Sequence, residues 1–304
     1  MLTVQTALLD IAYLSGGPEN GAPLLLLHGW PDDVSGWATV TPALEAAGYR
    51  WFAPWLRGFG PTRFRLPDTI RDASSVAIAQ DALDFADALG LDRFAVLGHD
   101  WGGRAAYAMA ALSPERLMAI AVLAIGYTPH GRYEVPSFAQ CRRWWYQWLM
   151  TSEAGAATVS ADPIGFARAQ WESWSPPGWY AEDSFSMAAE SFRNPDWLAI
   201  TLHGYRHRWQ SEALDPRYAE QRMRIGATER LSVPMLMIQG GDDRCDPPEE
   251  SEGQERFFTA SYERLVIDNI GHFPAREAAQ QVGDAILRFL TGFPAEQQSS
   301  VLTV

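Results

Sequence analysis

The sequence of 304 residues contains no lysine, so its 24 basic residues are all arginines. Acidic residues number 37, which leaves a formal net charge of −13 at pH 7. Such a surface repels phosphate backbones and anionic lipids, so the composition argues against nucleic-acid binding and against binding to a membrane surface. A small anionic substrate is still compatible with this charge, because at short range the attraction of one arginine exceeds the repulsion from distant acidic residues.

Cysteine and long apolar runs are also scarce. The two cysteines, Cys141 and Cys245, lack the number and spacing of a disulfide framework or a metal site. We therefore expect free thiols in a cytoplasmic protein that uses neither a metal nor a cofactor. The N-terminus has no basic start followed by a long apolar stretch, so no signal peptide is predicted. No run approaches the roughly 18 consecutive apolar residues of a transmembrane helix, so no membrane span is expected.

The chain does contain short runs rich in leucine, valine and isoleucine that end in glycine or polar residues, at 23–29, 50–55, 93–100, 119–126, 234–241 and 263–272. Helix-like patterns occupy 76–90, 103–117 and 277–293. Continuous apolar runs are typical of strands buried on both faces, and strands that alternate with helices indicate a mostly parallel sheet flanked by helices. Ligands of such α/β sheets bind beyond the carboxyl ends of the strands.

Residues 128–215 interrupt this alternation. They contain eight of the thirteen tryptophans, together with proline-rich turns and helix-like pieces. We interpret them as a helical lid inserted between two strands of a core formed by residues 1–127 and 216–304. The indoles fill the interior of such a lid, and several are also expected to line a pocket that the lid closes. The C-terminal segment 296–304 is predicted to be loosely held.

The stretch 98–102 carries the first chemical signal. Gly98-His99-Asp100-Trp101-Gly102 follows a strand-like run and precedes a helix, which is the spacing that presents a nucleophile on a tight turn. Glycines at both ends relieve crowding there, and the helix N-terminus keeps a carboxylate ionised. On its own the motif is equally compatible with an ordinary helix-capping aspartate.

Two further motifs supply partners for Asp100. His272 lies in a Gly-His-Phe motif that follows the last strand-like run, and the stretch 239–248 offers Asp242, Asp243 and Asp246. The order nucleophile, acid, histidine is that of the α/β-hydrolase fold. The offset of Asp243 from the preceding strand selects it as the residue that orients His272. Asp242 and Asp246 are then expected to be turn or capping residues.

A fourth motif, His28-Gly29-Trp30-Pro31, follows the apolar run 23–27. In this fold the residue after the His-Gly pair and the residue after the nucleophile donate backbone N–H groups to an oxyanion hole, which predicts Trp30 and Trp101 in that role. Backbone donors do not depend on the side chain, so both indoles are free to line the pocket.

Together these motifs resemble those of the α/β-hydrolase-fold epoxide hydrolases, to which haloalkane and haloacid dehalogenases are close relatives. The resemblance rests on residues 28–31, 98–103 and 271–273 and extends over nearly the whole chain. It is specific at these motifs and weaker in the lid. One core motif departs from the pattern, because Trp55 stands where many relatives carry an acid.

The resemblance implies that an epoxide is hydrolysed to a vicinal diol through an alkyl ester on Asp100. His272, oriented by Asp243, would activate the water that cleaves this ester. Family epoxide hydrolases protonate the leaving alkoxide with two lid tyrosines, and Tyr146 and Tyr205 stand at the matching positions. For each tyrosine the alternative is a buried hydroxyl that only caps a backbone carbonyl.

Halide release is the alternative reaction. A halide needs N–H donors, commonly a tryptophan after the nucleophile, and Trp101 meets that requirement too. Relatives resembling fluoroacetate dehalogenase hold a substrate carboxylate with arginines at the first and fourth positions after the nucleophile, and only the fourth, Arg104, is present here. They also carry a lid histidine where Tyr146 stands. Arg104 is expected either to pair with a nearby acid or to line the substrate pocket.

The expected partners are a small apolar epoxide or halogenated substrate and water, and a homodimer is compatible with the sequence. Trp148 and Phe273 are expected to complete the substrate pocket together with Arg104. A binding protein that keeps a vestigial triad is a third alternative. The intact set of Asp100, Asp243 and His272 disfavours it.

Overall fold

The structure, a computed structural model, describes residues 1–293. Within them one mixed sheet of nine strands has the order β1-β2-β4-β3-β6-β7-β8-β9, and β5 pairs with β2. The strands are β1 (Leu2–Gln5), β2 (Leu9–Gly16), β3 (Ala22–Leu27), β4 (Tyr49–Pro54), β5 (Arg63–Phe64), β6 (Phe94–His99), β7 (Leu117–Leu123), β8 (Met235–Gly240) and β9 (Tyr262–Ile267).

The central part of the sheet is parallel. β3 pairs in parallel with β4 and β6, and the parallel ladder continues through β7 and β8 to β9. Strands β6 and β8 are buried along their whole length, as continuous apolar runs require. The predicted α/β architecture with a mostly parallel sheet is confirmed, and each of the six apolar runs overlaps one of these strands.

The N-terminal strands extend the sheet with the opposite polarity. β2 pairs antiparallel with β1, β4 and β5. The apolar runs do not predict β1, because this edge strand is largely exposed and needs no continuous apolar sequence. Its partners in the sheet, not its own composition, determine that it is a strand.

Twelve α-helices accompany the sheet in the described part of the chain: α1 (Thr41–Ala46), α2 (Ser75–Ala88), α3 (Trp101–Leu112), α4 (Phe138–Arg143), α5 (Trp145–Thr151), α6 (Glu153–Ala161), α7 (Pro163–Trp174), α8 (Glu182–Ala189), α9 (Trp197–Trp209), α10 (Ala219–Ala227), α11 (Pro274–Glu277) and α12 (Ala279–Leu290). The bounds predicted for the helix at 103–117 were wrong at both ends. It begins directly after Asp100, and it ends before Pro114, which disfavours helical backbone in the residue before it.

Helices α4 to α10 lie between β7 and β8, and α4 to α9 fall within residues 128–215. The segment predicted as a lid is therefore helical and interrupts the alternation of strand and helix. The division at residues 127/128 and 215/216 stays a prediction. Segment 296–304 lies outside the described residues. None of the helices within residues 1–293 has the length and the apolar character needed to cross a membrane.

Side chains of β3 alternate between two hydrophobic cores. Leu24 and Leu26 pack in a core with residues of α1 and α12. Leu25 and Leu27 belong to a second core, which includes α2, α3 and aromatic residues of the inserted helices. Because this second core runs without a break from the sheet into the insertion, side chains at the strand ends meet side chains of the insertion in a buried region.

Candidate active site

Asp100 lies on the turn between β6 and α3. Its backbone angles are φ 45° and ψ −109°, a region that residues other than glycine rarely adopt. A Cβ atom on Gly98 would collide with the carbonyl oxygen of Gly102, and one on Gly102 would collide with that of Leu27. The Asp100 side chain makes no capping hydrogen bond to α3. A strained turn whose carboxylate does not cap the helix indicates a functional residue.

His272 lies between two carboxylates. Its Nδ1 atom is 2.8 Å from Oδ2 of Asp243, and its Nε2 atom is 3.8 Å from Oδ2 of Asp100. All three side chains are buried. Nε2 has no hydrogen-bond partner among the described residues. The distance to Asp100 exceeds a direct hydrogen bond, so Asp243 sets the orientation of the ring.

The backbone of His272 is held by both the core and the insertion. Its carbonyl oxygen accepts a hydrogen bond from Nε2 of His99 at 2.7 Å. Burial lowers the pKa of His99, so this ring stays neutral and donates through Nε2–H. The His272 amide donates to Oγ of Ser175 at 2.9 Å, just after α7. Sequence reasoning missed Ser175, because a serine in a proline-rich turn carries no distinctive signal.

The carboxylate of Asp243 is fixed by its own loop. Oδ1 accepts the backbone N–H groups of Cys245 at 2.8 Å and of Asp246 at 2.9 Å. The neighbouring candidate, Asp242, is exposed. The fold therefore brings Asp243, and not Asp242, to His272.

Asp246 does not behave as the turn or capping residue that the sequence predicts. Its carboxylate is buried, and Oδ2 accepts a hydrogen bond from Sγ of Cys245 at 3.4 Å. Burial raises the pKa of Asp246 to about 6. The loop after β8 thus brings a second acid into the site, which position in the sequence alone could not separate from a surface aspartate.

Asp100 and His272 form a charged pair. Burial opposes the ionisation of Asp100, but the His272 ring and the backbone N–H of Trp30 hold its pKa below the ordinary value. Burial also opposes protonation of His272, but the carboxylates of Asp243 and Asp100 raise its pKa well above the ordinary value. Each of the two groups therefore favours the charged form of the other.

The two predicted oxyanion-hole residues border Asp100. The backbone N–H of Trp30 donates to Oδ1 of Asp100 at 2.8 Å. Trp101 is the first residue of α3, so its N–H is one of the free amides of the first turn. A Cβ atom on Gly29 would lie 2.6 Å from Cβ of Asp100, which explains the glycine before Trp30.

Tyr146 on α5 and Tyr205 on α9 face each other, with ring centroids 5.2 Å apart. Both rings also pack against Trp30, at 5.7 Å and 5.0 Å. Burial raises both pKa values well above the ordinary value, and the charge of Asp100 adds to this at Tyr205. Both hydroxyls therefore keep their protons.

The hydrogen bonds of Tyr146 are to side chains. Its oxygen accepts from Nε2 of Gln147 at 3.0 Å, and its hydroxyl lies 3.6 Å from Sγ of Cys245. Gln147 is oriented in turn by Nε1 of Trp209, which donates to its carbonyl oxygen at 2.9 Å. Within the described residues neither Tyr146 nor Tyr205 caps a backbone carbonyl, so that structural explanation does not account for their burial.

The two other aromatic residues predicted for the pocket lie in different places. Phe273 stacks on Trp179 at 4.7 Å and lies edge-on to the His272 ring at 5.6 Å, so it packs beside the histidine. Trp148 packs against Trp209 at 4.7 Å and donates its Nε1–H to the Cys141 carbonyl at 3.1 Å. It does not join the rings around Trp30, and its role in a substrate pocket stays a prediction.

Arg104 has no acidic partner at ion-pair distance within residues 1–293. Nη1 donates to Oγ1 of Thr128 at 3.0 Å, and the guanidinium lies over the Tyr133 ring at 5.2 Å. Its buried Nε has no partner in the described part of the chain. The expected ion pair is therefore not formed, and Arg104 instead lines a cavity with Tyr127, Thr128 and Tyr133.

Trp174 also contributes to the site. Trp174 packs against the His272 ring at 4.8 Å and against Tyr146 at 5.0 Å. The sequence signals an indole-rich lid but does not say which indole reaches the histidine.

Trp55, at the position where relatives carry an acid, donates Nε1–H to Oγ of Ser191 at 2.9 Å. Ser191 donates to Asp33 at 2.6 Å, so Asp33 supplies an acid close to Trp55 from another part of the chain.

One group of possible metal ligands occurs in the described residues. Donor atoms of Cys245, Asp246 and His272 lie within 4.8 Å of one another. His272 is hydrogen-bonded to Asp243, and Cys245 to Asp246, so we interpret the group as part of a hydrogen-bond network. That the protein needs no metal stays a prediction.

An acidic residue on a strained turn at the end of a parallel strand, close to a histidine and a second acid, is typical of the α/β hydrolases. The chain belongs to the alpha/beta hydrolase fold family, whose sequence profile matches residues 22–279.

Similar proteins agree with this membership. Epoxide hydrolase A of Mycobacterium tuberculosis is 27% identical over 304 residues, covering 90% of this chain and 92% of that protein. The crystal structure of a candidate epoxide hydrolase from Klebsiella pneumoniae is 32% identical, with a TM-score of 0.88 and coverage of 95% and 96%. A fluoroacetate dehalogenase from Burkholderia is 32% identical over 197 residues, covering 64% and 59%. The resemblance to epoxide hydrolases and dehalogenases is confirmed.

Proposed function

We propose that the protein hydrolyses an epoxide to a vicinal diol through a covalent alkyl ester on Asp100. The observation that carries this proposal is the pair of buried tyrosine hydroxyls, Tyr146 and Tyr205, packed around Trp30, whose backbone binds Asp100. Relatives named epoxide hydrolases support it. Residues 128–215 act as the lid that carries these tyrosines.

The first step is attack by Asp100 on a ring carbon of the epoxide. Asp100 needs no base, because its pKa is already held low by His272 despite burial. The new C–O bond of the ester forms while the C–O bond of the epoxide breaks, and the leaving alkoxide takes a proton from a tyrosine. General acid assistance of this kind contributes about 10²–10⁴-fold.

The second step is hydrolysis of the ester at the Asp100 carbonyl. Ester formation removes one of the two negative charges that raise the pKa of His272, so the imidazolium then releases a proton, which replaces the one that the tyrosine gave to the alkoxide. The neutral ring accepts a proton from water through Nε2. Asp243 keeps the proton on Nδ1 and so selects the tautomer that can act as a base.

The oxyanion hole serves this second step. The N–H of Trp30 already contacts Oδ1 of Asp100, the atom that becomes the carbonyl oxygen of the ester when Oδ2 attacks. In the tetrahedral intermediate that oxygen carries a full negative charge. A preorganised donor of this kind typically stabilises the transition state by ~3 kcal/mol.

A side-by-side turnover assay tests the proposal with styrene oxide, a chloroalkane, fluoroacetate and a p-nitrophenyl ester. We expect diol from styrene oxide. Replacing both Tyr146 and Tyr205 by Phe should abolish it, because the alkoxide then has no acid. Tyr180→Phe, in the lid but outside the cluster around Trp30, is the matched control. Diol formation by the double variant would remove the tyrosines from the mechanism.

Dehalogenation is the second candidate, favoured by one specific observation. The buried indole Nε1 of Trp101, the residue that follows Asp100, has no hydrogen-bond partner among the described residues. A leaving halide would accept that N–H. The Burkholderia fluoroacetate dehalogenase is a relative. Halide release without diol formation in the same assay would select this reaction.

A further inference from the structure

Tyr146 begins a chain of three buried side chains, and the mechanism above does not use the other two, Cys245 and Asp246. The Tyr146 hydroxyl is 3.6 Å from Sγ of Cys245, and this sulfur is 3.4 Å from Oδ2 of Asp246. The three residues are 2%, 1% and 6% exposed, so bulk water does not reach the chain freely. It leads from the tyrosine hydroxyl to a carboxyl group.

Asp246 is an unusual residue to bury at this position. It makes no ion pair within residues 1–293, and its carboxylate accepts a hydrogen bond from one thiol, a weak donor. The charges of Asp243 and Asp100 disfavour its ionisation, whereas those of His272 and Arg104 favour it. A carboxyl group that is poorly solvated and weakly bonded holds a proton at a higher pH than an exposed one.

Cys245 is suited to pass a proton without reacting itself. Burial and the neighbouring carboxylates raise the pKa of the thiol well above the ordinary value, so it stays S–H and is a poor nucleophile. A thiol both accepts and donates a hydrogen bond, which a relay between two oxygens requires.

We propose that Asp246 supplies, through Cys245, the proton that Tyr146 gives to the opening epoxide. The inference rests on the proposed function, because it needs an alkoxide that takes a proton from Tyr146. It assigns Asp246 and Cys245 as positioning residues that act on the substrate through the tyrosine.

The protons balance over one turnover. As the epoxide C–O bond breaks, the alkoxide takes the Tyr146 proton, the tyrosinate takes the Cys245 proton, and the thiolate takes the Asp246 proton. Asp246 is then a carboxylate, and it regains its proton from His272, whose imidazolium releases it once Asp100 is esterified. A ring nitrogen of His272 lies within 4.8 Å of the Asp246 carboxylate, a gap that one water molecule spans.

The cycle closes during ester hydrolysis. His272 takes a proton from the attacking water, and the hydroxide adds to the Asp100 carbonyl. When the tetrahedral intermediate collapses, the new carboxylic acid gives its proton to the departing diol oxygen. Asp100 is again a carboxylate and His272 an imidazolium, so the net reaction is epoxide plus water to diol.

The test is the rate of Asp100 alkylation by styrene oxide, followed by stopped-flow tryptophan fluorescence between pH 5 and pH 8. We expect Asp246→Asn and Cys245→Ala each to slow alkylation about tenfold or more, since general acid assistance is weakened. Cys245→Ser, which keeps a donor and acceptor, should recover most of the rate. The matched control is Asp242→Asn, the same change at an exposed neighbour.

The dependence of the alkylation rate on pH distinguishes proton supply by Asp246 from a purely structural role of this residue. Asp246 is protonated below about pH 6, so the wild-type rate should fall as the pH rises through that value, and the Asp246→Asn rate should not. Equal rates and profiles for Asp246→Asn and Asp242→Asn would overturn the inference while leaving epoxide hydrolysis intact. A wild type that forms no diol and no Asp100 adduct would overturn the proposed function itself.

Discussion

The Nε2 atom of His272 lies 3.8 Å from Oδ2 of Asp100, beyond direct hydrogen-bond distance. This separation distinguishes the pair from one in which the histidine deprotonates the nucleophile through a direct hydrogen bond. In the proposed mechanism the charge of the carboxylate is already stabilised electrostatically, and Nε2, which has no partner among residues 1–293, is free to bind the hydrolytic water. The expected effects of substitutions follow from these separate roles of Asp100 and His272 and from the turn and loops that position both residues.

His272→Gln should trap the covalent intermediate. Without a base the ester on Asp100 forms but is not hydrolysed, so the protein mass should increase by one styrene oxide molecule. Intact mass spectrometry with peptide mapping measures this, and Asp100→Ala in the His272→Gln background is the control. An unmodified Asp100 with a substrate that the wild type turns over would contradict the ester mechanism.

Asp243→Asn should slow ester hydrolysis far more than alkylation. An amide at this position donates to Nδ1 as readily as it accepts, so His272 loses the tautomer with a basic Nε2. We expect kcat to fall about 10²–10⁴-fold, the range of general base catalysis. Rapid-quench kinetics separates the two steps. Asp242→Asn should leave both unchanged, and equal losses in the two variants would reject Asp243 as the orienting acid.

Asp246 should make the stability of the protein depend on pH. Burial raises its pKa from 3.8 to about 6, so the folded protein binds this proton more tightly than the unfolded chain. Stability from this group therefore falls as the pH rises from about 4 to about 6, by on the order of 3 kcal/mol. Urea unfolding at pH 4.5 and pH 7.5 measures the difference. Asp246→Asn should reduce the pH dependence, whereas Asp242→Asn should not.

Gly98→Ala should destabilise the nucleophile turn. The added Cβ would collide with the Gly102 carbonyl oxygen, which is backbone and cannot turn away. Overpacking of this kind costs about 1–3 kcal/mol and would displace Asp100. Gly226→Ala is the control, because a Cβ atom added at that position would have no other atom within 4 Å. Equal Tm values for the two variants would show that the turn tolerates a side chain.

Much of the fold and the core of the site follow from local sequence. The continuous apolar runs predict the parallel strands because a strand covered on both faces has no polar side to display. Gly98 and Gly102 predict the turn because no other residue fits beside the neighbouring carbonyls. Each of Asp100, Asp243 and His272 follows a predicted strand, so the three side chains lie at the same edge of the sheet, after β6, β8 and β9.

What the sequence cannot supply are relationships between distant segments. Asp242 and Asp246 have the same chemistry, but only packing decides that one is exposed and the other is buried near His272. Arg104 could have formed an ion pair with an acid, but in the folded chain it donates a hydrogen bond to Thr128. Eight tryptophans lie in the insertion, and only the tertiary structure shows that Trp174 packs against His272.

The sequence by itself determined the chemistry that the strand ends can present: a carboxylate on a strained turn, a histidine and an acid to orient it. Those features depend on the backbone geometry of single turns and on the order of the motifs along the chain, and both can be read from the sequence. The tertiary structure decided the charge states and the proton-bearing neighbours, because burial and distances of a few ångströms between segments far apart in the chain set each pKa. Asp100, whose pKa is lowered, and Asp246, whose pKa is raised, are thus the same residue type in two environments that the fold created.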